Sequence, residues 1–92
     1  MQDGNNKKAQ ELIKALGSII QKHRKEQGKS IYKISAEAEL PKATWREIEI
    51  GKNNFRFITL WKIAEGLDIP LATLINELTQ ELGEDFSLSD IK

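Results

Sequence analysis

The side chains able to do chemistry concentrate between residues 42 and 56: Lys42, Thr44, Arg46, Glu47, Lys52, Asn53, Asn54 and Arg56, with Ala43 among them. What they share is the exchange of hydrogen bonds and charge. A lysine or arginine donates to acceptors, a glutamate accepts from an amino group, and an alanine or threonine methyl lies against apolar surface. Covalent and metal chemistry have little support. The chain has no cysteine, which excludes disulfides and thiolate metal sites, and its one histidine, His23, cannot make a histidine cluster. No catalytic constellation can be assembled. No catalytic residue, metal, cofactor or small-molecule substrate is therefore expected.

The elements that must position these groups follow from local signals. Ser30 to Lys52 reads as two short helices joined by a tight corner, with Ile34, Ala38, Leu40, Trp45 and Ile48 pointing inward. Helices this short do not persist alone in water. Their use is geometric: the first braces the second so that it can enter a groove, as in the helix-turn-helix arrangement. The frame around them is also helical. From about Asn6 to Gln27, Leu12, Ile13, Leu16, Ile19, Ile20 and His23 fall on one helical side, and Gly28 ends the run. Ser30 can cap a helix from Ile31 to Ala38. Pro41 pushes Leu40 out of the helical region and opens a third helix, Lys42 to Ile50, closed by Gly51. After a polar loop, a fourth helix runs from Phe57 to Leu67 with Leu60, Ile63, Ala64 and Leu67 inward. Pro70 then opens a fifth, Leu71 to Leu82, ended by Gly83. With no strand pattern and no repeat, the fold class is all-α, a compact five-helix domain.

At 92 residues the chain supports one modest core. The expected division is an N-terminal extension, partly helical, over residues 1–11, the helical domain over 12–82, and an acidic tail over 83–92. No apolar run approaches the roughly 20 residues that span a bilayer, and the polar start lacks a signal-peptide core. No membrane association is expected, and the chain is placed in the cytoplasm. Net charge is zero, but the distribution is uneven. Residues 21–56 hold nine basic and five acidic side chains, whereas residues 57–92 hold two basic and seven acidic. The positive excess falls on the helix pair, as an electrostatic footprint for a phosphate backbone would require.

The pattern Leu16-Gly17, Ile20, Arg24, Gly28, Ser30, Ile34, Ala38, Thr44, Ile48-Glu49, Gly51-Lys52, Thr59-Leu60, Lys62-Ile63-Ala64 and Leu67 resembles the phage-repressor and Cro-like helix-turn-helix family, also called XRE-type regulators. The resemblance covers roughly residues 12 to 78. It implies a five-helix domain that binds double-stranded DNA, usually as a homodimer on a two-fold-related operator. Lys42, Ala43, Thr44, Arg46 and Glu47 fall at positions resembling the family's base-reading residues, and each type has a partner in the major groove. Arg24 and Glu49 match a family ion pair that ties the first helix to the end of the third, an architectural role. Trp45 and Ile48 match core positions of the recognition helix. Lys52, Asn53 and Asn54 follow that helix where the family places phosphate contacts. His23, where the family usually has an aliphatic residue, reads as a hydrogen-bonded structural histidine, and Trp61 as a residue beside the core.

Backbone contacts are also expected at Ser30 and Ile31, where the second helix presents free N–H groups to a phosphate. Arg56 occupies an N-cap position although it cannot accept a capping hydrogen bond, which points to a phosphate or minor-groove contact. Several positions depart from the family. Ile31 stands where many members carry a phosphate-binding glutamine, Glu39 replaces the corner glycine, and Pro41 and Pro70 replace serine caps. These departures imply more salt-sensitive binding or dependence on a protein partner. On the fifth helix Leu71, Leu74, Ile75, Leu78 and Leu82 form an apolar stripe, with Phe86 and Leu88 beyond. That stripe is the expected homodimer interface; the alternative is that the tail folds back over it. Two functions remain open: a sequence-specific DNA-binding regulator (a repressor, an autoregulator or an antitoxin), or a protein-interaction adapter that keeps the fold without DNA readout.

Overall fold

The computed structural model describes residues 7–89; the start of the N-terminal extension and the end of the tail, including Ile91, lie outside the described residues. Five helices follow in order: α1 (Lys7–Glu26), α2 (Ile31–Ala38), α3 (Lys42–Glu49), α4 (Phe57–Leu67) and α5 (Leu71–Leu82). There is no strand among the described residues. The bounds of α2, α4 and α5 coincide with those expected. The third helix stops one residue early, because Ile50 takes the C-cap with φ −90° and ψ 2°. The first is continuous across residue 12, and Ala9 is already buried in its opening turns.

α1 lies along the back of the bundle against α3 and α5, while α2 packs on α3 and α4. Ile20, Ile34, Trp45, Ile48, Ile63, Leu67 and Leu74 are fully buried, so every helix contributes a side chain to one shared core. Two local features bring the short pair into place. Gly17 lets α1 approach the end of α3 closely, since a Cβ there would run into the backbone carbonyls of Ile48 and Glu49. The corner between α2 and α3 turns at Glu39, whose φ of 58° is left-handed. Its N–H bonds back to Ala36 O, and the Leu40 N–H bonds to Ser35 O at 2.9 Å, closing the helix end as a Schellman-type cap does.

The stripe on α5 departs from expectation. Leu74 and Leu78 are buried in the chain's own core, and Leu71 and Leu82 pack half-buried against it. Phe86 is also half-buried and lies under the Lys8 ammonium, 5.8 Å from its ring centroid, so the start of the tail turns toward α1. Of the stripe on the helix, only Ile75 remains exposed. A domain this small uses much of one side of α5 to close itself. Leu74 and Leu78 are thus committed to the chain's own core.

Candidate nucleic-acid interface

α3 divides sharply between an inner and an outer side. Trp45 and Ile48 are fully buried and Glu49 is 6 % exposed, whereas Lys42, Ala43, Arg46 and Glu47 are exposed and Thr44 is half-buried beside them. The inner side is locked by a polar network. Arg24 on α1 donates from Nε to Glu49 Oε2 at 2.5 Å and from Nη2 to Oε1 at 3.0 Å, a bidentate pair. Trp45 Nε1 donates to Oε2 at 2.6 Å, and Gln21 Nε2 to Oε1 at 3.2 Å. Arg24 Nη1 also reaches the Lys29 carbonyl at 2.7 Å, and no buried side-chain polar atom among the described residues lacks a partner. Burial alone would push the Glu49 carboxyl up, but the hydrogen bonds from Arg24 and Trp45 outweigh it and hold the group below the usual carboxylate range. The same hydrogen bond raises Arg24 above its ordinary value. The network sets the rotation of α3 about its axis, which decides which side chains face outward.

The outer face has an adjoining rim. Ser30 caps α2, its Oγ accepting from the Lys33 N–H at 3.0 Å, so its hydroxyl is engaged while the N–H groups ahead of Lys33 have no intrahelical partner. Ile31 is half-buried against the core rather than presented outward. Lys52, Asn54 and Arg56 are exposed on the loop after α3. Asn53 is half-buried and donates to Glu47 Oε1 at 3.2 Å, tying that loop to the outer face. Arg56 is the N-cap of α4 and its side chain makes no capping hydrogen bond.

Charge pairing differs between the cations of α2 and those of α3 and its loop. Lys29 and Lys33 both pair with Glu37, at 2.6 and 3.3 Å, and the Lys29 hydrogen bond lowers the Glu37 pKa. Among the described residues, Lys42, Arg46, Lys52 and Arg56 have no carboxylate within ion-pair distance. These four lie together on α3 and its following loop, although Lys14, Lys22, Lys25 and Lys62 elsewhere are likewise outside ion-pair distance of a carboxylate. Among the described residues no group of three or more histidines or acids could hold a metal ion. His23 bonds Glu77 at 2.8 Å and joins α1 to α5.

The model of the helix-turn-helix family matches residues 20–74, more than half of the chain. The chain belongs to this family, the XRE/Cro-like DNA-binding regulators. It is 31% identical over 65 residues to the HTH-type transcriptional regulator SutR of Escherichia coli K12, covering 71% of this chain and 36% of that protein. The chain thus spans about a third of the length of this relative. Among solved structures, the wild-type restriction-modification controller protein C.Esp1396I superposes with a TM-score of 0.71 at 23% identity, covering 76% of this chain and 91% of that one. The clp gene regulator ClgR of C. glutamicum superposes with a TM-score of 0.72 at 18% identity, covering 80% and 96%. At such identities the likeness shows the fold.

Two groups in the site were not expected from the sequence. Gln21 completes the Glu49 network; it sits one turn before Arg24 on α1, and that spacing is the signal it carried. Tyr32 is 72 % exposed beside Lys42, and only an aromatic residue next to a helix cap marked it.

Proposed function

We propose that this protein is a sequence-specific, double-stranded-DNA-binding transcriptional regulator of the cytoplasm, a repressor or autoregulator that acts as a homodimer on a two-fold-related operator. The observation that carries the reading is the division of α3: one side locked into the core by the Glu49 network, the other exposing Lys42, Ala43, Arg46 and Glu47 beside two further unpaired cations, Lys52 and Arg56. In the major groove Lys42 or Arg46 donates to guanine O6 and N7, Glu47 accepts from cytosine N4, and Ala43 or the Thr44 methyl meets a thymine methyl. Ser30, Ile31, Lys52, Asn53, Asn54 and Arg56 surround that face as backbone contacts; Arg56, free of any capping duty, is suited to a phosphate.

The homodimer surface that best fits the fold centres on α4 rather than on the α5 leucines. Phe57, Ile58 and Trp61 on α4 and Ile75 on α5 are large apolar side chains left in water. Phe57 and Trp61 touch with ring centroids 6.2 Å apart, and Phe57 and Ile75 line one cleft of about 240 Å³. A contiguous apolar surface of this kind marks an association site. A two-fold dimer built on it sets two copies of α3 on the same DNA face, about 34–36 Å apart when they read successive turns.

Selection of bound sequences from random duplex DNA tests the proposal. The expected result is a two-fold-related site whose affinity falls steeply with salt as phosphate contacts release counterions. Failure to enrich any sequence, or a flat salt dependence, rejects DNA reading and leaves a protein-interaction adapter.

A further inference from the structure

Tyr32 is the large side chain with an apolar ring that α2 leaves outside its core. Ile34, Ser35 and Ala38 are buried and Ile31 is half-buried, yet the large Tyr32 ring stands in water, 72 % exposed. It does not serve the core. Its neighbour is Lys42, whose Nζ lies 5.8 Å from the ring centroid, within the range over which an aromatic face attracts a cation. Lys42 opens α3, and the N-terminal residues of a recognition helix are the ones that meet base edges.

The type of partner matters. Lys29 and Lys33 share one carboxylate, so their charge toward an approaching phosphate or base is partly compensated. Lys42 is held by a ring, which restrains the ammonium and leaves its charge uncompensated. An ammonium has three N–H donors. One turned to the ring leaves two for the paired acceptors of a guanine edge. A lysine on a flexible stem is otherwise a mobile reader, so restraint before binding sharpens its geometry.

We propose that Tyr32 is a positioning residue for base reading: its ring holds the Lys42 ammonium at the leading end of α3 and narrows the preference at the base pair Lys42 contacts. The proposal rests on α3 being the recognition helix. It is separate from any phosphate contact by the phenol hydroxyl, because the ring alone supplies the attraction.

The test uses the full chain and the duplex recovered by selection, with fluorescence anisotropy titrations against that duplex and single-base-pair variants. Tyr32→Leu is expected to lower discrimination about 2–5-fold at the one base pair whose preference Lys42→Ala also relaxes, the size expected of an exposed cation–ring contact. Tyr32→Phe should read like the original chain, and Tyr32→Leu should add nothing in a Lys42→Ala background. In the free protein, the Lys42 side-chain protons should show an upfield ring-current shift by NMR that Tyr32→Leu abolishes. The proposal is overturned if that shift is missing. It is also overturned if Tyr32→Leu leaves discrimination unchanged, or if Tyr32→Phe and Tyr32→Leu weaken all duplexes alike, which assigns the hydroxyl to a phosphate. Should the unaltered chain bind no duplex at all, the recognition-helix reading fails instead, and a surviving ring-current shift separates the two failures.

Discussion

Glu49→Ala removes the acceptor on which four hydrogen bonds converge: two from Arg24, one from Trp45 and one from Gln21. The side chains of Glu49 and Arg24 are 2 % and 10 % exposed, so the guanidinium cannot recover its lost partner from water without moving. Breaking a buried pair by removing one member costs about 3–5 kcal/mol. Arg24 keeps the Lys29 carbonyl, which places the expected loss near the lower end, about 3 kcal/mol. In a domain this small each kcal/mol moves the thermal midpoint by about 4–8 °C, so the midpoint should fall by about 12–24 °C. Thermal unfolding followed by circular dichroism reads this directly. The double change Arg24→Met with Glu49→Leu should recover the part of the loss that comes from the stranded charge, while the buried Trp45 Nε1–H still lacks its acceptor. Glu49→Gln isolates the charge. Since the folded carboxyl lies below its ordinary value of about 4.3, ionised Glu49 stabilises the fold above that pH, and the contribution disappears as pH falls through the lower folded value. The Gln variant should therefore be less stable near neutrality and show a shallower acid limb. A midpoint for Glu49→Ala within about 3 °C of the original, under 1 kcal/mol by the same scale, would refute the stranded-charge argument.

The remaining expectations concern reading, association and the corner. Arg46→Ala should reduce discrimination at one base pair per half-site by roughly 1–3 kcal/mol, whereas Lys52→Ala should weaken all duplexes about equally and lower the salt slope by about 1; unchanged base preference in Arg46→Ala would mean that α3 is misplaced in the groove. Trp61→Asp or Ile75→Asp should convert a sedimenting dimer into a folded monomer with weaker operator binding, and a dimer that survives both changes places the interface elsewhere. Glu39→Gly should stabilise the fold by about 0.5–1 kcal/mol in urea unfolding, because a left-handed non-glycine residue costs roughly 1–2 kcal/mol and the freer unfolded chain returns part of it. A loss of stability there would show that the Glu39 side chain contributes something its backbone strain does not reveal.

Local chemistry was enough to place the helices. Ser30, Pro41, Pro70 and the glycines at 28, 51 and 83 act on their own backbone within a turn, and the starts of α2 and α3 and both ends of α5 fall where those residues put them. The spacing of Arg24 and Glu49 was likewise informative through the family pattern, because a pair that joins α1 to α3 can form only in one register. Periodicity could not say how deep a seat awaits each apolar side chain. It aligned Leu71, Leu74, Ile75 and Leu78 on one face of α5, but the width of the surface that α1 and α4 offer decided that Leu74 and Leu78 are buried and Ile75 is not. It was equally silent about contacts between elements: Gln21 on Glu49, Asn53 on Glu47, and the Lys42 ammonium over the Tyr32 ring. A helical pattern specifies the direction in which a side chain leaves its own axis. What it meets there depends on the packing distance and rotation of another helix, and those exist only once the core around Trp45 and Ile48 has closed.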